Sequence, residues 1–112
     1  MTEALPERTE GGIGFTEMAD PAFDAYHPSG QVLFRSCSAG YLHSVAFGES
    51  VSDAESENIS TAVLLAAEVS HLRAVMQVRR DILEAGFTPS DDIATPADLD
   101  RAESALARHR LL

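Results

Sequence analysis

The chain has no lysine, no tryptophan and a single cysteine, Cys37. All eight basic residues are arginine, against 18 acidic ones, which leaves a formal charge of -10 over 112 residues. Each shortage excludes something. A chain this acidic repels a phosphate backbone, and the basic stripe that nucleic-acid binding uses is missing. One thiol cannot close an internal disulfide, which fits a reducing, cytoplasmic compartment. No apolar run approaches the ~18 residues needed to span a bilayer. The stretch 1–10 also lacks the charged-then-apolar pattern of an export signal. What is present is a 45% hydrophobic complement, enough for one small domain and too little chain for two cores.

The chain divides into two parts. Residues 1–20 carry five acids against Arg8, with Pro6, Gly11, Gly12 and Gly14 between them, and read as a flexible acidic N-terminal arm. Residues 21–112 read as a single α+β domain. Ala22–His27, Val32–Ser38 and Tyr41–Phe47 are short apolar runs separated by Pro28-Ser29-Gly30 and Ala39-Gly40. That pattern predicts a three-stranded antiparallel meander. Ser52 and Glu55 have capping-box spacing and predict a helix start at Ser52. No proline or glycine follows until Gly86, so a helix of about 34 residues, ~50 Å long, is allowed.

At 100° per residue, Leu65, Val69, Leu72, Met76 and Leu83 form one stripe of this helix. Leu64, Val75, Val78 and Ile82 form a second beside it, with His71 at its edge. Arg73, Gln77, Arg80, Asp81 and Glu84 are assigned to the solvent side. The two stripes are wider than a three-stranded sheet covers, so the second needs the C-terminal helix or another chain. That last helix is marked by Thr95-Pro96-Ala97-Asp98, an N-cap followed by proline and an acid at the third place.

Nothing in the sequence has the form of an active site. Cys37 and His43 fall on neighbouring strands, but no glycine-rich elbow or helix start follows the thiol, and a small buried side chain is the plainer reading. His27, His43, His71 and His109 lack metal-ligand spacing. Asp91-Asp92 and Asp98-Leu99-Asp100 lack the spacing and glycine of a calcium loop. Gly11-Gly12-Ile13-Gly14 has no Lys-Ser/Thr after it and is spacer. The chain is therefore expected to be a non-enzyme without cofactor or metal, acting through its surface. The expected protein-contact residues are Leu64, Leu65, Val69, Leu72, Val75 and Met76.

The segment Phe23-Asp-Ala-Tyr-His-Pro-Ser-Gly30, with Val32, Ala39-Gly40, Val45, Ser52-Asp53-Ala54-Glu55 and the alanine-rich helix to Arg80, resembles EspH-like accessory proteins of mycobacterial type VII (ESX) secretion systems. The order of elements resembles the YbaB-like fold. The likeness covers about Phe23 to Gly86. It implies a cytosolic specificity chaperone that holds a secreted ESX substrate soluble and associates as a homodimer or with a related chain. The alternative it implies is a YbaB-like nucleoid-associated DNA binder. That role would need Arg73, Arg79, Arg80 and the C-terminal arginines of two chains to merge into a basic patch, and it would have to overcome the net charge. A structural subunit without a client is a third expectation.

Overall fold

The fold was obtained as a computed structural model, which describes residues 18–112. The expected acidic arm lies outside the described residues up to position 17. Its last two residues are already tied to the domain. Ala19 bridges Cys37 across the sheet, and the Asp20 carboxylate accepts from the Ala22 N–H at 2.9 Å, capping a 3-10 turn at Pro21–Phe23.

Three strands follow in the expected antiparallel order: β1 (Ala25–Tyr26), β2 (Val32–Ser36) and β3 (Leu42–Phe47). β1 is much shorter than the apolar run that predicts it, because Pro21 and the Asp20 cap draw Ala22 and Phe23 into the 3-10 turn. The β1–β2 connection places Pro28 second in a turn closed by Gly30 N–H to His27 O at 2.9 Å, with Gly30 at φ +76°. A left-handed glycine after such a turn sets the twist of a hairpin. A second 3-10 turn, Ser38–Gly40, joins β2 to β3.

The long helix α1 spans Ser56–Glu84. It begins four residues later than the Ser52 capping box predicts, because Glu49–Asp53 form a third 3-10 turn. There the Ser52 hydroxyl donates back to Glu49 O at 3.2 Å instead of capping the helix. The helix ends where glycine predicts. Gly86 lies at φ +91°, and the N–H groups of Gly86 and Phe87 donate to Leu83 O and Ile82 O. This is the reciprocal pattern of a Schellman stop. The final helix α2, Pro96–Arg108, carries the predicted capping box between Thr95 and Asp98. The Thr95 N–H donating to the Asp98 carboxylate holds that acid below its ordinary range.

α1 packs across β1 and β2, and α2 packs on its flank. Ala25, Phe34, Ala66, Val69, Leu72, Ala102 and Leu106 form the main core, and Val32, Ala62 and Leu111 a second cluster. Ala62, Ala66, Val69, Ser70 and Ala74 are all 0% exposed. Small side chains let the helix axis approach the sheet closely, so the buried face is centred on them rather than on the leucine stripe. Ser70 meets Ser36 there, hydroxyl to hydroxyl, at 2.6 Å. The pair satisfies two polar groups that burial would otherwise leave unmatched.

Arg73 corrects the solvent-side assignment. It lies four residues from Val69 and seven from Ala66, hence on the packed side. Its guanidinium bonds Glu103 of α2 at 3.0 Å and donates to Asp24 O, tying both helices to the start of the sheet.

α1 also corrects the expectation about apolar runs. It contains an 18-residue window with mean hydropathy 1.3, enough to cross a membrane by length and composition alone. In this fold it is the core helix.

Candidate functional site

The expected contact residues separate on α1. Val69, Leu72 and Met76 are buried within the chain itself, at 0%, 8% and 7% exposure. The sheet and α2 cover Val69 and Leu72, while Leu83 at the end of that stripe is open. Leu65 and Val75 are half-buried. Leu64 is 70% exposed, the only one of the six fully on the surface. The second stripe is open only in part: Leu64 is exposed, whereas Val75, Val78 and Ile82 are half-buried. His71 at its edge donates from Nδ1 to Gly40 O at 3.2 Å, so this side looks toward the β2–β3 connection. The fit there is close: a Cβ on Gly40, which lies at φ +89°, would come within 2.6 Å of His71 Nδ1.

β3 carries an apolar surface of its own. Register pairs Val32 with Phe47 and Phe34 with Val45, so all four side chains share the face on which α1 lies. The helix covers β2 but not β3. Val32 and Phe34 are 1% and 8% exposed, whereas Val45 and Phe47 are 38% and 49% exposed. Leu42 and Tyr41 are also open. Among the described residues β3 pairs on one side only. Its sequence, Leu-His-Ser-Val-Ala-Phe, has no proline and no acidic or arginine side chain. Natural edge strands are usually blunted by such residues, because an unblunted edge accepts another strand. Sequence reading singled out β3 as a strand but not as this surface. Alternation shows which residues share a face, but not where the covering helix stops.

The chemistry-bearing residues do not converge there. Cys37 is buried, and the His43 ring bonds its neighbour, the Ser44 hydroxyl, at 3.0 Å. Among the described residues no group of three His, Cys, Asp or Glu side chains is placed to hold a metal.

Two histidines distant in sequence do meet. His27 Nε2 lies 2.9 Å from His109 Nδ1, with the rings edge to face. His27 is 2% exposed. Burial, and then the neighbouring His109, push its pKa below the ordinary 6.5. The pair joins the β1–β2 turn to the end of α2, across 82 positions of sequence.

Comparison with known proteins adds the lineage. The family model described as "Protein of unknown function (DUF2694)" matches residues 15–112. The chain belongs to the DUF2694 family. The match takes in every described element of the fold. DUF2694 relatives include the uncharacterized protein Rv0028 of Mycobacterium tuberculosis (strain ATCC 25618 / H37Rv). Another is the uncharacterized protein Mb0029 of Mycobacterium bovis. Each is 46% identical over 93 residues, covering 83% of this chain and 92% of the relative. No solved structure matches. These DUF2694 matches carry no link to EspH-like or YbaB-like proteins.

Proposed function

We propose that this DUF2694 chain is a cytoplasmic protein-binding accessory factor, a specificity chaperone for a type VII (ESX) secretion substrate. The observation that carries the protein-binding part is the open, uncharged edge of β3 with Val45 and Phe47 exposed on its helix-side face. An extended apolar segment of a client adds to such an edge by main-chain hydrogen bonds, while Val45, Phe47 and Leu64 receive its side chains. The charge of -10 keeps the carrier itself soluble. The secretion substrate comes from the resemblance of Phe23–Gly30 and the helix start to EspH-like proteins. A second copy of the chain would compete for the same edge, and dimer formation is part of the proposal.

DNA binding draws less support. Of the arginines it needs, Arg73 is held by Glu103, Arg79 by Ala94 O and Arg80 by Gln77.

The test is a tagged pull-down from mycobacterial lysate with nuclease treatment, run with wild type and with Phe47→Glu. Stoichiometric capture of a secreted ESX protein, lost in the variant, supports the proposal. Capture unchanged by Phe47→Glu removes β3 from it. Recovery only of nucleoid proteins that vanish with nuclease overturns it.

A further inference from the structure

A cavity of about 830 Å³ lies between the β1–β2 turn and the C-terminal segment, lined by His27, Ser29, Arg108, His109, Arg110 and Leu111 among others. Its size is that of a small-molecule site. No Asp or Glu side chain lines it.

The hydrogen bonds fix which way its polar groups point. The Ser29 backbone N–H donates to His27 Nδ1 at 3.0 Å. A backbone N–H is always a donor, so His27 Nδ1 holds a lone pair and the neutral ring carries its proton on Nε2. That proton is donated to His109 Nδ1. His109 Nδ1 is then the acceptor, and the His109 proton sits on Nε2. This nitrogen has no partner among the described residues. A buried histidine thus sets the tautomer of a half-buried one, leaving an N–H donor on a cavity-lining ring.

The cations agree with that polarity. Arg35, Arg73 and Arg101 are paired with Asp24, Glu103 and Asp98, and Arg79 and Arg80 bond a carbonyl and an amide oxygen. The two arginines without a partner among the described residues are Arg108 and Arg110, and both line this cavity. Guanidinium forks match the geometry of carboxylates and phosphates. Leu111 and Pro28 give the same space an apolar wall.

We propose that the cavity binds a small organic oxyanion, a carboxylate or phosphate monoester on an apolar stem. Arg108, Arg110 and His109 Nε2–H take the charged group, and the Pro28 and Leu111 wall takes the stem. This site is separate from β3 and does not rest on the chaperone reading.

The test is a titration of the full chain with phenyl phosphate, benzoate and inorganic phosphate, followed by NMR shifts of the His109 ring and the arginine side chains. Saturable shifts with phenyl phosphate or benzoate are expected. They should weaken about tenfold or more in Arg108→Ala/Arg110→Ala, since the charge-assisted bonds to the oxyanion are removed. Both side chains are exposed, and an unchanged melting curve checks that the variant folds. Which of the two organic probes binds more tightly identifies the oxyanion. No saturable shift with either organic probe overturns the proposal. So does binding unchanged in the double variant, and inorganic phosphate binding as tightly as phenyl phosphate removes the apolar stem.

Discussion

His27 Nε2 and His109 Nδ1, 2.9 Å apart, share one proton that the Ser29 N–H assigns to His27. Adding a second proton to the pair would either break the Ser29 bond or set two N–H groups against each other. Burial independently opposes charge on His27 and lowers its pKa. The clasp therefore holds in the neutral state.

The pH dependence follows from that. Unfolded, His27 titrates near 6.5; folded, it titrates lower. Between those two values the unfolded chain holds more protons, so stability rises with pH across the window. On acidification the contribution begins to fall as pH passes about 6.5 and is gone below the folded value. Melting curves at pH 7.5 and 5.5 should show wild type losing more stability than His27→Gln. That variant is less stable at pH 7.5 by about 1–2 kcal/mol. Equal slopes for the two proteins would remove His27 from the effect.

Exposure separates two kinds of apolar-to-glutamate substitution. Leu72→Glu or Met76→Glu places a charge in the core and should cost about 3–5 kcal/mol or more, enough to abolish the folding transition. Phe47→Glu and Leu64→Glu act on open positions and should shift stability by about 1 kcal/mol or less. If the proposed docking holds, they lose association while keeping a cooperative melt. Size-exclusion chromatography beside a thermal scan distinguishes the two classes. A cooperative melt for Leu72→Glu would contradict the packing.

The caps give a matched pair. Thr95→Ala removes a formed capping box and should cost about 1 kcal/mol, roughly 4–8 °C in Tm for a domain of this size. Ser52→Ala should be close to neutral, because the Ser52 hydroxyl bonds Glu49 O in a 3-10 turn and caps no helix. Similar losses for both would restore the earlier helix start.

Arg73 makes two kinds of bond with different expected effects. Its pair with Glu103 is partly exposed, 35% and 40% at the two side chains, so Glu103→Ala should cost under about 1 kcal/mol. Arg73→Ala also withdraws the donor from Asp24 O and should cost about 2 kcal/mol. Urea melts of both variants check the order, and a Glu103→Ala loss as large as that of Arg73→Ala would place the weight on the ion pair instead.

Much of this arrangement is legible in particular residues. Gly86 stops α1 because only glycine readily takes the left-handed conformation that a Schellman end requires. Thr95 and Asp98 cap α2 as spaced. Gly30 and Pro28 turn β1 into β2. Ser52 misleads because the spacing of a capping box is also compatible with a 3-10 turn that absorbs the same serine. Arg73 misleads because a charged side chain is assigned to solvent by type, whereas position, relative to Ala66 and Val69, puts it over the sheet.

The sequence by itself determined the α+β class, the antiparallel strand order and the two helices. These follow from local backbone preference and apolar periodicity, both carried by neighbours in the chain. Tertiary structure alone decided that alanines and Ser70 centre the helix–sheet contact, and that α1 stops short of β3. It alone brought His27 and His109 together across 82 positions. Those outcomes depend on how closely and at what lateral offset two elements pack, a property of the pair that neither segment's sequence contains.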